Sequence, residues 1–389
     1  MDLILVLLGL LLLALTLWDV FETIVVPRPT PGWFRIGRYL VRGSWRVVRA
    51  LAGPGPNRSP TAERMLGLFA PAATVVLLVA WLVALFVAFG LILFGLRDQL
   101  APQPPNIGSA IYFAASSVLT IGYGDIVATG TLARIAVVAA AVCGLGIVAL
   151  VVTFLFSLYG SYQRREAPVV LLGAKAGSPL SAVVLLENLA RFDLTDRLPL
   201  FFGEWERWIV EVLDSHVAYP LLGYFRSSHD NLSWISALGT VLDTATLVLT
   251  TIDGVPRGQA ELAKSLGDHL VEDITNLGNR APGSTTIDRP SFDAVYERLA
   301  AAGYRLVPED EAWPAFAAAR ASYADRLEQM AVFWVAPSVS WFGGSEALRS
   351  PTHRPAADDA GGAGTVAGAA PGASATNARI ATTDEVAER

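Results

Sequence analysis

The chain has 389 residues, of which 53% are hydrophobic and only 16% charged, and its formal net charge is −6. Soluble proteins carry nearer ~25% charged residues, so the composition points to membrane spans and away from a soluble enzyme or a basic nucleic-acid-binding module. One cysteine, Cys143, excludes an intrachain disulfide and makes metal or redox chemistry a poor fit.

The first element is an apolar run from Leu3 to Trp18 that extends to Val26. It is the first of three runs able to cross a ~30 Å hydrocarbon core, which takes ~20 helical residues. The first basic residue is Arg28, and no small-x-small cleavage site precedes Pro27, so the run is expected to be a retained helix. Asp19 and Glu22 lie three residues apart on one face of it, near the inner membrane boundary at ~1.5 Å per residue. They read either as an intramembrane acid pair serving a pathway or sensor, or as interfacial carboxylates pairing with the arginines that follow. The second, simpler reading is the expectation.

Residues 27–64 carry eight arginines and one acid, Glu63. Arg35, Arg38, Arg42, Arg46 and Arg49 are spaced to fall on one helical face, with Trp33, Tyr39, Leu40, Val47 and Leu51 among the remaining positions. This predicts a basic amphipathic helix lying on anionic lipid headgroups. A voltage sensor would need a spanning helix, and this segment is too polar to span. The basic loop is expected inside. That puts the N-terminus outside, the Arg97 loop outside, and everything after Arg164 in the cytoplasm.

Met65 to Leu96 is the second span, with Pro71 near its start, and Pro102, Pro104 and Pro105 predict an extended outer turret. Ser109 to Leu119 then reads as a helix of about three turns, too short to cross and so expected to re-enter. Its C-terminal end would point partial negative charge into the membrane. Thr120-Ile121-Gly122-Tyr123-Gly124-Asp125 follows directly. Non-helical backbone at membrane depth is costly unless its polar groups are satisfied, and rings of backbone carbonyls can replace the hydration shell of a cation. Gly122 and Gly124 permit the left-handed angles this needs. Thr120 can add a hydroxyl ring, Tyr123 should pack outward with Tyr112 and Phe113, and Asp125 should tie the outer mouth to the helix behind it. Thr131 to Gly160, within an apolar stretch reaching Gln163, is the third span. Ala136, Ala140 and Gly144 recur every four residues, which allows close helix packing. Gly144 equally allows a bend, and the spacing does not choose.

Beyond Arg164 the pattern predicts helices over Pro179 to Phe192, Leu200 to Val217, Asn231 to Ile252, Arg257 to Asn276, Ser291 to Ala302 and Glu309 to Val335. Little alternation argues for a sheet. Ala237 to Ile252 contains Asp243 and reads as a buried core helix. Leu171 to Gly177 imitates a nucleotide-binding loop without the strand context. His216, His229, His269 and His353 lack metal-ligand spacing, and Asp214-Ser215-His216 is adjacency in sequence and no triad. Trp205, Trp208, Trp234, Trp313, Trp334 and Trp341 read as core or interface anchors. Ser350 to Arg389 is too poor in large apolar residues to offset its ordering entropy and is expected to be disordered. The expected whole is an all-α membrane protein. It comprises an N-terminal helix (1–26), a basic interfacial segment (27–64), a pore domain (65–163), a helical cytoplasmic domain (164–349) and a tail (350–389).

The run Tyr112-Phe113, Ser116-Ser117-Val118-Leu119, Thr120 to Asp125 and Thr131 to Tyr159 resembles the two-transmembrane pore unit of potassium channels, over about Leu66 to Gly160. The resemblance implies a pore-loop fold whose filter, Thr120, Ile121, Gly122, Tyr123 and Gly124, coordinates K+. It also implies a gating hinge at Gly144, and K+ as the permeant ion with no cofactor. Two departures stand out. Leu119 replaces a threonine found in many bacterial members, and Ser116 replaces a glutamate found in some, which removes a carboxylate partner for Asp125. One filter string per chain predicts a homotetramer in the cell membrane. The rival readings are a weakly selective cation channel and a membrane-anchored interaction protein with a vestigial pore. No constellation supports an enzyme, and no motif names a regulatory ligand.

Overall fold

A computed structural model describes residues 2–26, 36–53, 59–227, 229, 231–276 and 287–336. The expected disordered tail, Trp341 and His353 lie outside these residues. The described chain is helical apart from short turns and one small two-stranded ribbon. Among the described residues three helices are long and apolar enough to cross a membrane: α1 (Leu3–Ile24), α3 (Pro60–Gly95) and α5 (Thr131–Ala176). Between them lie α2 (Ile36–Ala52) and the short α4 (Ile107–Val118).

α3 starts earlier than the apolar run predicts. Ser59 caps it by accepting from the Ala62 backbone N–H, and Pro60 occupies its first turn, where a missing N–H costs nothing. α5 also outruns its apolar stretch. At ~1.5 Å per residue its 46 residues reach about 70 Å, twice the hydrocarbon core. The boundary expected at 163/164 therefore falls inside one unbroken helix. α1 packs along α3, and α4 packs between α3 and α5.

Asp19 departs from the interfacial expectation. Its side chain is fully buried and accepts a 2.8 Å hydrogen bond from the Trp81 indole N–H of α3. The partner that the structure gives it is an aromatic donor on the neighbouring span rather than an arginine nearby in sequence. Glu22 is buried on the same face.

The C-terminal region comprises α6 (Ala182–Arg191), α7 (Leu198–Ala218), α8 (Trp234–Thr250), α9 (Gly258–Asn276), α10 (Arg289–Ala301), α11 (Glu309–Ala321) and α12 (Ala324–Trp334). Every residue of α8 from Trp234 to Val248 is buried, as the reading of a core helix requires. Its acid is neutralised in place: Asp243 accepts from Arg320 Nε at 2.9 Å and from the Tyr323 hydroxyl. An unpaired buried charge would cost several kcal/mol, so this network is what lets an apolar core helix contain an aspartate. It also corrects one expectation. The pattern over Glu309 to Val335 reads as a single helix, yet the chain breaks at Ser322–Tyr323. Tyr323 leaves helical geometry and is fully buried, its hydroxyl reaching Asp243 and Thr246. Around α8 pack Phe202, Phe292, Phe316, Trp205 and Trp208. Trp313 and Trp334 are half-buried against the same core.

The two halves meet at a turn, Pro220–Tyr224. Arg165 of α5 is buried there and donates to the carbonyls of Leu222 and Phe225, at 2.8 and 2.9 Å, and to the Glu166 carboxylate. His216 of α7 donates from Nδ1 to the Val212 carbonyl and turns Nε2 toward Arg165. Burial, with the Arg165 charge adding to it, pushes the His216 imidazole down to about 3. A neutral ring is the form that can accept from the guanidinium.

Candidate functional site

The site is assembled by α4 and the strand that leaves it. Asn106 caps α4 by accepting from the Ser109 backbone N–H at 2.9 Å. That bond satisfies one orphan donor at the helix start. At the other end the chain wraps tightly. Leu119 N–H donates to Ala115 O, Thr120 N–H to Ser117 O, and Ile121 N–H to Ser116 O, all within 3.0 Å. Ser116 and Ser117 are buried, and the Ser117 hydroxyl turns back to the Phe113 carbonyl.

From there the backbone alternates. Thr120, Gly122 and Gly124 have φ of 55°, 62° and 82°, while the intervening Ile121 and Tyr123 do not enter the left-handed region. In an ordinary strand successive residues share one handedness and face opposite sides. Alternating handedness instead turns successive peptide planes the same way. The glycines adopt these angles without a Cβ penalty. Thr120 does not: a β-branched residue there carries about 1–3 kcal/mol of strain, held by the wrap around the end of α4. Residues 120–125 are exposed in the single chain, and a Cβ placed at Gly122 or Gly124 would meet nothing within 4 Å.

Tyr123 lies parallel to Tyr112, centroids 6.3 Å apart at 6°. Asp125, in the exposed 120–125 stretch, is close enough to act electrostatically on the Tyr112 hydroxyl. Phe113 faces the other way, into the apolar cluster formed with α3 and α5. Gly144 lies under the end of α4: a Cβ there would sit 2.0 Å from the Val118 carbonyl oxygen. α5 is continuous through Gly144, and the close approach alone requires glycine.

Two residues that the sequence reading passed over hold the frame. The Gln99 side-chain oxygen accepts from the backbone N–H of Leu132 and Ala133, at 3.1 and 3.2 Å, and caps the start of α5. The Gln99 carbonyl accepts from Thr129. Beside it, β1 (Leu100–Ala101) pairs antiparallel with β2 (Val127–Ala128). Asn106 was legible as a cap before a helical run. Gln99 was not, because its partners lie some thirty residues away.

One face of α5 carries Ile135, Val138, Val142, Leu145, Val148, Val152, Phe156 and Tyr159, all exposed in the single chain, Leu145 at 67% and Phe156 at 78%. On α2, Arg42, Arg46 and Arg49 are exposed, opposite none of the site residues just described. Arg35 and the side chain of Arg38 lie outside the described residues. Among the described residues no cluster of His, Cys, Asp and Glu could hold a metal ion.

Residues 73–160 match a family model described as an ion channel. No curated protein and no solved structure matches the chain. The matched residues contain most of α3, all of α4, the 120–125 stretch and α5 as far as Gly160. The segment 73–160 is thus similar to the ion-channel family, and it lies in a chain with three described helices long and apolar enough to cross a membrane.

Proposed function

We propose that the protein is a K+-selective channel in which four copies of the chain surround one axis. The observation that carries this reading is the left-handed backbone at Thr120, Gly122 and Gly124, open on one side and located between two spanning helices. Carbonyls turned the same way on four chains make stacked rings of neutral oxygens. Such rings replace the hydration shell of a cation closely enough to admit it and weakly enough to release it. Thr120, Ile121, Gly122 and Tyr123 supply the coordinating oxygens, with Gly124 at the outer end. Tyr112 stacked on Tyr123, with Asp125 beside the Tyr112 hydroxyl, sets the ring diameter from behind. The unpartnered apolar face of α5 is then covered by neighbouring copies above and lines the inner cavity below. One strand per chain requires a closed ring of copies.

The reading extends to topology. The arginines of 27–64 place that segment, and the region after Arg164, on the cytoplasmic side, with the N-terminus outside. Arg42, Arg46 and Arg49, with Arg35 and Arg38, contact anionic lipid headgroups. Gly144 serves close packing against Val118 and is also the point where α5 bends least expensively when the pore opens. The C-terminal region regulates the pore through α5, which it shares.

A weakly selective cation channel is the second reading. Ser116 offers no carboxylate behind residues 120–125, so the diameter rests on the Tyr112–Tyr123 stack and on Asp125 beside the Tyr112 hydroxyl. K+ efflux from liposomes carrying the purified protein tests the proposal. Flux well above empty liposomes supports it, and flux equal to empty liposomes at every pH and voltage sinks it. Equal passage of Na+ would favour the second reading.

A further inference from the structure

We infer that α2 is a binding site for anionic phospholipid whose occupancy is transmitted to the inner end of α5. This rests on the reading above that the chain spans a membrane with α2 at the inner leaflet. It takes the lipid contact proposed there and adds a route and a regulatory consequence.

The surface of α2 is divided three ways. Gly37, Val41, Trp45, Val48 and Ala52 recur at three- and four-residue spacing and form the face turned toward the protein, where Trp45 is 2% exposed. Arg42, Arg46 and Arg49 fall on the adjoining strip and are exposed. The remaining arc presents Tyr39, Val47 and Leu51, exposed at 66%, 60% and 70%. An apolar arc beside a cationic strip is costly in plain water. It suits one occupant well: a lipid leaflet, with acyl chains against Tyr39, Val47 and Leu51 and phosphates against the arginines. A soluble phosphate would satisfy only the strip. Each such arginine strengthens binding to an anionic surface, and the effect is screened by salt.

The docked face gives the route. The Trp45 ring lies 4.8 Å from Phe69 of α3 and 5.1 Å from Tyr224 of the 220–224 turn, and its indole N–H donates to the Phe333 carbonyl of α12 at 3.1 Å. The Arg42 charge is felt at the same place. Burial pushes the Tyr224 hydroxyl up, and Arg42 opposes it. Arg226, two residues on, joins Glu63 of α3 at 2.7 Å and the Val335 carbonyl at 2.7 Å. The same turn receives Arg165 of α5 through Leu222 and Phe225, while the Tyr162 hydroxyl donates to the Arg226 carbonyl. One compact joint therefore connects α2, α3, α5 and α12. A shift of α2 toward a charged leaflet moves the turn to which Arg165 is fastened, about two and a half helical turns along α5 from the exposed Phe156.

The test uses full-length protein in phosphatidylcholine vesicles with and without phosphatidylglycerol, and two readouts that need no conduction. The first is the amount of phosphatidylglycerol retained per chain after detergent extraction. The second is the spectrum of a nitroxide on Phe156→Cys in a Cys143→Ala background. The native α2 sequence should retain phosphatidylglycerol and change the label's spectrum when that lipid is present. Combined Arg42→Gln, Arg46→Gln and Arg49→Gln should weaken retention by about 10-fold or more and abolish the spectral change. Trp45→Phe should keep retention and reduce the spectral change, and Arg226→Gln provides a second break in the joint should that variant fail to fold. Equal retention with and without the three arginines overturns the site. Full retention with an unchanged spectrum at 156 overturns the transmission. Glycerol phosphate reproducing the spectral change in neutral vesicles would make the ligand a soluble phosphate and overturn the lipid. A channel that conducts nothing would sink the conduction proposal and leave these readouts intact.

Discussion

The pore segment and the C-terminal region solve opposite problems. Among the described residues of 182–334 a continuous core is closed within one chain: α8 is enclosed, Asp243 has Arg320 and Tyr323, and Arg298 meets Glu187 with two nitrogens. The pore segment is unfinished as a single chain. Its α5 face is apolar and open, its 120–125 strand touches little but α4, and three left-handed residues stand with space beside them. A region complete in one copy is built to hold a shape. A region incomplete in one copy leaves an apolar face and a left-handed stretch that nothing in the single chain covers. The joint at 220–226 matters because it ties the self-sufficient region to the unfinished one.

The comparison can be broken first from the self-sufficient side. Asp243→Ala takes from the buried Arg320 the carboxylate it is bonded to and should cost about 3–5 kcal/mol. Thermal unfolding of the C-terminal region should drop accordingly, while assembly of the pore segment, read by detergent-resistant oligomer on a gel, should persist. Loss of the oligomer along with the fold would show that the two regions are not separable in this way.

Gly144→Ala attacks the pore from its packed side. The added methyl would lie 2.0 Å from the Val118 carbonyl oxygen, and forcing α4 away should cost about 1–3 kcal/mol or more. The expected result is reduced oligomer yield with an unchanged melting profile of the C-terminal region. Normal assembly would show that α4 can shift freely. Asn106→Ala is milder. It removes the cap of α4 and should cost about 1 kcal/mol, seen as lower oligomer stability to heat with no change in helix content.

The smallest effect at neutral pH belongs to His216. Its folded-state value of about 3 lies below the ordinary 6.5, so the unfolded chain binds a proton that the folded chain does not. The stabilisation is fully present above pH ~6.5 and is lost as pH falls toward 3. His216→Gln should match the native melting temperature less closely at pH 7 than at pH 5, because the native protein alone gives up this term on acidification. Parallel pH profiles would contradict the assignment.

What the sequence made legible follows from the range of the forces involved. The three long apolar helices, the short helix before residue 120 and the buried α8 are written in local runs and periodicity, and the structure forms each of these helices. The glycines at 122 and 124 announced unusual backbone because no other residue takes those angles cheaply. The rest depended on distant partners. Asp19 finds Trp81 in another span, Gln99 caps a helix far along the chain, and Tyr323 breaks a helical pattern to reach Asp243. Phe113 was expected beside Tyr123, but helix geometry sends adjacent side chains in different directions, so only Tyr112 could stack there. The left-handed Thr120 had no signal, since β-branched residues avoid that region. The extension of α5 past its apolar stretch was hidden because its second half packs against α6, α7 and α8, which lie far along the chain.

The central claim is that strands 120–125 from several copies form a K+-selective path. It is tested most directly by the reversal potential of currents from purified protein in planar bilayers, with K+ on one side and Na+ on the other. The account predicts a reversal potential close to that of a K+ electrode, and no current from Gly122→Ala. A reversal potential near zero, or undiminished current from Gly122→Ala, would contradict it.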